Sequence, residues 1–165
     1  MSGEWDFSIN PNNNCYNKIM ISANFGLGES VVGGTITPDT YIVNQFDPKD
    51  TKILSKKVAE KTSSIWLDTS SSGGRGTRLE DNKDQSTAQA LTDEQILDVA
   101  NLIASVEEEK CDGLPVDTEW AFHDGKLYLL QARPVTAYIP LFPEMITWRG
   151  EEKKLYLDSM VMVSM

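Results

Sequence analysis

Basic residues are scarce in this chain. Fifteen Lys and Arg stand against twenty-five Asp and Glu in 165 residues, a formal net charge of −10. A nucleic-acid partner needs clustered cations to neutralise phosphates, so that class is excluded first. Apolar length is missing too. No run of about 18 apolar residues could span a bilayer, and the N-terminus MSGEWDFSIN has neither the basic nor the apolar region of a secretory signal. No membrane partner is expected, and the cytoplasm is the default compartment. Cys15 and Cys111 are the only cysteines; they are too few for a disulfide scaffold, lack metal-ligand spacing, and carry no assigned role. Neither a P-loop nor a Rossmann fingerprint occurs, so the two commonest phosphate cradles are absent.

With 40% hydrophobic residues, the chain is large enough for one domain with its own core. Its most informative stretch is Val116 to Thr136, VDTEWAFHDGKLYLLQARPVT. Apolar and polar residues alternate on both sides of His123-Asp124-Gly125, as in two half-buried strands joined by a tight reversal. Register decides what such a hairpin can do. With a two-residue loop at Asp124-Gly125, Asp117 and Glu119 would face one side of the sheet and Gln131 and Arg133 the other, and no site would form. With a three-residue loop closed by Gly125, Phe122 pairs with Lys126 and Asp117 lies opposite Gln131. Glu119 is then diagonal to Gln131, with Arg133 one step further and Ala121, Leu127 and Leu129 on the same face. The converging oxygens suit Mg²⁺ shared with phosphates, and the arginine supplies a planar fork for a phosphate oxygen. A solvated face bearing exposed ion pairs is the competing account of the same pattern.

Upstream, Phe7 and Ile9 alternate before the polar turn INPNNN, and Lys18 to Ala23 reads as a buried strand. The glycine-rich NFGLGESVVGGTITPD follows, with Gly26, Gly28, Gly33 and Gly34 permitting backbone approach, and a turn at Pro38-Asp39 before the strand Thr40 to Val43. On spacing alone this is a glycine-rich connection. Lys52 to Leu67 predicts a second antiparallel ribbon. Thr69 to Ala90 is rich in Ser, Gly, Thr, Asp and Asn and predicts a mobile loop. Arg75 and Arg78 within it are open to two accounts, a phosphate flap or a solvated loop. Leu91 to Gly113 is the clearest helix. Thr92 and Gln95 form a capping box; Ile96, Ala100, Ile103 and Ala104 form an apolar stripe supported by Leu97, Val99 and Leu102; Gly113 is the stop. Residues 155–163 alternate again, like a strand without its partner. Unpaired edges recruit strands, so self-association through this C-terminal segment is one expectation.

The string DTEWAFHDGKLYLLQARPVT resembles the end of the nucleotide-binding domain in the phosphoenolpyruvate synthase and pyruvate phosphate dikinase family, rifampin phosphotransferases included. That family writes D-x-E-W, a short turn, then G-K-L-Y-x-L-Q-x-R-P-x-T. Gly26-Leu27-Gly28-Glu29, Val31-Val32, Gly34 and Pro38-Asp39 likewise follow its G-L-G-E-x-V-V-x-G-x-V-x-P-D segment. Ser2, Gly3, Phe7, Ser8, Asn10 and Pro11 resemble S-G-x-x-F-T-x-N-P, with one extra residue between Gly3 and Phe7. The resemblance implies ATP and Mg²⁺ as cofactors. It makes Glu119 and Gln131 the metal ligands, Arg133 the phosphate-contacting group and Asp117 the acidic residue that orients one of them; Gly28 and Glu29 would meet the nucleotide, Glu29 near the ribose.

The fold this implies is α+β and ATP-grasp-like, a mostly antiparallel sheet covered by one long helix. Residues 1–136 would be the C-terminal part of the domain and 137–165 a connector towards a phosphohistidine domain. His123, the only histidine, lacks the family's T-x-H-x-A phosphocarrier setting and reads as a turn residue. The family's N-terminal lysine and arginine that grip the phosphates are not represented either. The implied activity is transfer of a phosphoryl group from Mg·ATP to a carrier histidine elsewhere and on to pyruvate or a similar acceptor. The partners would be the missing N-terminal half-domain and the phosphohistidine domain, and the chain alone is expected to be incomplete and inactive. The alternatives are a non-catalytic nucleotide-binding module and a protein-interaction module.

Overall fold

The computed structural model describes residues 5–9, 18–28, 36–44, 51–68, 76–111, 114–136 and 151–152. In chain order these form β1 (Trp5–Phe7), β2 (Lys18–Ala23), β3 (Asp39–Asn44), β4 (Ile53–Lys57), β5 (Ser63–Asp68), β6 (Gly76–Asp81), a short 3₁₀ turn (Lys83–Gln85), α1 (Asp93–Lys110), β7 (Val116–His123) and β8 (Lys126–Pro134). Six strands make one antiparallel sheet in the order β4-β3-β2-β1-β7-β8, and β5 with β6 makes a separate ribbon. The α+β expectation of a mostly antiparallel sheet with one long helix holds for the described residues. No helix among them is long and apolar enough to cross a membrane.

Alternation decides which face is covered. On the covered face the buried side chains are Ile19, Ile21 and Ala23 of β2, Asp39, Tyr41 and Val43 of β3, and Val116, Thr118, Trp120 and Phe122 of β7; Asp117 is buried on the other face. All on the covered face but Asp39 and Thr118 join one apolar cluster with Ile96, Val99, Ala100, Ile103 and Ala104 of α1. The helix starts where its sequence says it should. Thr92 Oγ1 accepts the Gln95 N–H at 3.2 Å, and Gln95 Oε1 accepts the Thr92 N–H at 2.9 Å, which closes the capping box. Trp120 anchors the core, edge-on to Phe122 with ring centroids 5.7 Å apart. Its indole N–H donates to the buried Asp6 carboxylate, which also accepts the Ser22 N–H at 2.7 Å.

Two upstream expectations are corrected. Lys52 to Leu67 is not a ribbon: β4 is the edge strand beside β3, whereas β5 pairs with β6. Thr69 to Ala90 is not a loop throughout, since 76–81 is a strand in six-residue register with β5. Gly-Thr-Arg-Leu-Glu-Asp has no apolar face to reveal it. Backbone pairing with the more apolar β5 holds it, and Leu79 is 70% exposed. Residues 69–75, Arg75 included, lie outside the described residues, as do Gly113, Cys15 and the apolar alternation at 155–163. Cys111 is a buried free thiol.

The ribbon meets the sheet through glycine. Gly26 has φ +84° and forms a parallel bridge with Ile65, and the Leu27 N–H donates to Ile65 O at 2.7 Å. A Cβ at Gly26 would stand 2.2 Å from Ile65 O. Backbone thus approaches backbone here, and both φ and space demand glycine.

Asp39 is the polar centre beneath the sheet. Its Oδ1 accepts from Lys61 Nζ at 2.5 Å and from the Ala59 N–H at 2.8 Å; Oδ2 accepts from the Tyr41 hydroxyl at 2.9 Å and the Ala90 N–H at 2.8 Å. Asp39 and Lys61 side chains are fully buried. Four donors from three segments satisfy the carboxylate, as a buried charge requires. Burial, followed by the hydrogen bond to Asp39 and its negative charge, pushes the Tyr41 phenol well above its ordinary value.

Three outcomes follow for stability. Trp120→Ala should cost about 3–5 kcal/mol in urea unfolding through lost burial and a residual cavity. Gly26→Ala should cost at least about 1 kcal/mol, because positive φ and the Ile65 carbonyl both oppose a methyl group. Tyr41 should remain protonated until the fold is lost at alkaline pH. A folded value above the unfolded one means its stabilisation is complete below about pH 10 and lost as pH rises through the folded value. In absorbance titration at the phenolate band, the signal that Tyr41→Phe removes should appear only with alkaline unfolding; a Tyr41 signal that titrates ahead of unfolding would contradict the contact.

Candidate functional site

The β7–β8 turn is made of two residues, not three. Asp124 (φ +48°) and Gly125 (φ +74°) both lie in the left-handed region that a tight two-residue hairpin turn requires. His123 pairs with Lys126, Phe122 with Leu127 and Trp120 with Leu129. Had the ladder continued so, the acidic pair would have faced away from Gln131 and Arg133. It does not continue. A bulge between Trp120 and Glu119 skips Leu130, after which Glu119 pairs with Gln131 and Asp117 with Arg133. The extra residue that the three-residue loop was expected to supply is in mid-strand.

The pairings are therefore corrected: Asp117 lies opposite Arg133 rather than Gln131, and Glu119 directly opposite Gln131 rather than diagonal to it. Leu127 and Leu129, expected beside the site, pair with Phe122 and Trp120 on the α1 side. The four polar residues still converge, on the face opposite α1. The signal in the sequence is the doublet Leu129-Leu130, the point where strict alternation breaks.

Asp117 and Arg133 form the best-defined contact there. Arg133 Nε and Nη2 each donate to Asp117 Oδ2 at 2.7 Å. The Asp117 side chain is 8% exposed and that of Arg133 51%, so the carboxylate is buried while half of the cation meets solvent. Both donors converge on one oxygen; Asp117 Oδ1 is buried without a hydrogen-bond partner. A native carboxylate oxygen in that state calls for a cation, a water or a donor. From this pair a cross-strand row of half-buried apolar residues runs through Phe7 and Met20 to Ile42.

Glu119 is half-buried and Gln131 exposed. Directly opposed residues have Cβ atoms about 5 Å apart, close enough for a carboxylate and an amide oxygen to share one hard cation. The described residues contain no group of three His, Cys, Asp or Glu arranged for a metal, so they make no all-protein cage. Two hard oxygens beside an unpartnered carboxylate oxygen fit Mg²⁺, which keeps several waters and takes its other ligands from phosphates. Gly28 is in a turn one residue beyond the Leu27 bond to Ile65, and Glu29 lies outside the described residues. The Gly26 of the same motif packs against the Ile65 backbone. Arg78, the described member of the expected flap, pairs with Glu80 at 2.6 Å on an exposed strand.

A cavity of about 600 Å³ opens elsewhere, lined by Phe25, Trp66 and Phe122 and by Glu80, Asp81, Asp84 and Asp124, with Lys83 the one cation. That charge balance repels a polyphosphate, and none of Asp117, Glu119, Gln131 or Arg133 lines it. The ionic face of the hairpin remains the candidate site.

Comparison with known proteins shows the family. Residues 5–148 match the family described as pyruvate phosphate dikinase, AMP/ATP-binding domain. Relatives include a probable phosphoenolpyruvate synthase of Methanocaldococcus jannaschii, 38% identical over 130 residues, covering 79% of this chain and 10% of that protein. The phosphoenolpyruvate synthase of Pyrococcus furiosus is 42% identical over 138 residues, 79% of this chain and 16% of its own length. A rifampicin phosphotransferase of Bacillus subtilis is 35% identical over 135 residues, 82% of this chain and 14% of its own. Across the curated relatives the chain spans 10% to 18% of their length. A match over residues 5–148, most of the chain, makes this protein a member of the pyruvate phosphate dikinase AMP/ATP-binding domain family.

Proposed function

We propose that the chain is the ATP-binding part of a dikinase-type phosphotransferase, the C-terminal portion of an ATP-grasp domain spanning 1–136, with 137–165 leading towards a phosphohistidine domain. One observation carries this: the Leu130 bulge sets the pairs Glu119–Gln131 and Asp117–Arg133 side by side on the face opposite α1. Family membership and the small share of the relatives' length that the chain spans support the same reading.

Glu119 and Gln131 hold Mg²⁺, and Gly28 and Glu29 meet the nucleotide. The metal, when bound, neutralises β- and γ-phosphate charge. Arg133 offers the exposed half of its guanidinium to a phosphate oxygen and stabilises charge that develops during transfer. Asp117 grips Nε and Nη2 and so fixes the plane of that fork, which lowers the entropy cost of presenting it. The phosphoryl group passes to a histidine carried by another domain and then to the acceptor, pyruvate or another small molecule. His123 takes no part: expected in the turn, it is instead the exposed last residue of β7, 3.5 Å from Asp124. A second reading, a protein-interaction module, draws on the outer strand β8, where Tyr128, Leu129 and Leu130 are 45%, 42% and 64% exposed.

Calorimetric titration of Mg·ATP into the chain, with and without the upstream half-domain supplied in trans, separates the two. Saturable binding that requires the added half and weakens at least ~10-fold (about 1.4 kcal/mol) in Glu119→Ala is the expected result. Unaltered affinity in Glu119→Ala would sink the site, and no binding under any condition would favour the interaction module. Arg133→Ala is the wrong probe, because it strands a buried carboxylate and destabilises the hairpin. Arg133→Lys keeps the charge and loses the fork. In the complete enzyme it should retain Mg·ATP affinity while turnover falls by about 10²-fold.

A further inference from the structure

We infer that Lys61 is a positioning residue for the glycine-rich segment Gly26–Gly28, an inference that rests on the nucleotide-binding reading above. Nothing in the sequence VAEKTSS marks Lys61. Its placement does. The side chain is fully buried, and its ammonium has three donor hydrogens. Two go to Asp39 Oδ1 at 2.5 Å and to Ala59 O at 3.0 Å. The Phe25 ring lies 5.5 Å from the nitrogen, centroid distance, within cation–π range.

Phe25 directly precedes Gly26, and Gly26 and Leu27 dock on Ile65 of β5. Lys61 also stands at the entry to β5. Its own N–H donates to Ser86 O at 2.7 Å, and its carbonyl accepts from Asn82 Nδ2 at 2.7 Å. Asn82 in turn accepts from the Ser64 hydroxyl at 2.7 Å, and Ser64 Oγ accepts the Trp66 indole N–H at 2.8 Å. One residue therefore holds both partners of the Gly26–Ile65 contact, the glycine segment through the Phe25 ring and β5 through its backbone. Asp39 fixes the ammonium to the sheet. The lysine is not a phosphate ligand, since it has no solvent-exposed surface and its donors already meet protein. It acts by holding the backbone that leads to Gly28 and Glu29.

Amide hydrogen exchange reads the contact without any nucleotide, and Mg·ATP titration with the upstream half-domain reads its consequence. Phe25→Leu keeps the Lys61–Asp39 pair and removes the ring; Lys61→Met removes the charge. The Leu27 N–H should exchange roughly tenfold or more faster in Phe25→Leu while Ile21 and Val43 amides in the sheet stay as protected as in the wild type. Mg·ATP affinity should fall with it. Leu27 protection that does not change in Phe25→Leu overturns the inference, even if Lys61→Met fails to fold. A loosened Leu27 with unaltered nucleotide affinity overturns the positioning role as well. If the wild-type chain with the added half binds no Mg·ATP, the functional reading fails separately, and exchange at Leu27 alone decides whether Lys61 holds the segment.

Discussion

A single buried carboxylate ties the domain together. Asp39 begins β3, yet its four donors come from Ala59, Lys61, Tyr41 and Ala90, so the strand, the segment entering β5 and the chain just before α1 share one pair of oxygens. A charge in such a place is costly unless it is paired and every lone pair is served. All four bonds must therefore form together. The arrangement supplies little net stability for its size, but it admits few alternatives: α1 cannot begin elsewhere without surrendering the Ala90 bond, and β5 cannot leave without stranding Lys61. Lys56 adds a contact at the same corner, reaching Asp93 in the first turn of α1 at 2.8 Å and holding that carboxylate below its ordinary value. That contact is exposed and contributes little by comparison.

The hairpin shows what alternation can and cannot disclose. Its two strands and a reversal around His123-Asp124-Gly125 are legible because side chains on a strand have period two; the route by which Asp117, Glu119, Gln131 and Arg133 converge is not, since period two with a two-residue turn would separate them. Register is a separate quantity. A single inserted residue reverses every facing relation beyond it, and the insertion is equally compatible with the turn or with mid-strand. The turn chemistry of Asp-Gly, with both residues at positive φ, favours two residues; the consecutive leucines then accept the insertion. Leu130, 64% exposed at the outer edge of the sheet, is displaced where no neighbouring described strand opposes it.

Elsewhere legibility tracks burial. β2, β3 and α1 were readable since each buries a regular stripe against the others, and Thr92 with Gln95 marked the helix start. β6 was not, because five of its six residues are exposed and its stability lies in backbone pairing that no side-chain pattern records. Asp39 and Lys61 were invisible for a different reason. They are twenty-two positions apart, and an acidic residue beside Pro38 or a lysine in a polar stretch suits a surface turn equally well. Long-range polar pairs leave no periodic trace.

The face opposite α1 carries its cations far apart, and this bears on how it can treat a polyphosphate. By register Lys57 of β4, Lys18 of β2 and Lys126 and Arg133 of β8 point to that face, against Asp117 and Glu119. Strands are about 4.8 Å apart; β4 is five spacings from β8, and β2 is three. Lys57 thus stands roughly 24 Å from the Arg133 strand and Lys18 roughly 14 Å, Lys126 lies roughly 15 Å along β8 from Gln131, and a triphosphate placed at Glu119 and Gln131 would meet only Arg133 of these four cations closely. Even that arginine is partly neutralised by Asp117. Such an arrangement orients a phosphate without balancing its charge. On the reading proposed above, the balance would come from a divalent ion at Glu119 and Gln131 together with further cations, the division of labour that metal-assisted phosphoryl transfer uses.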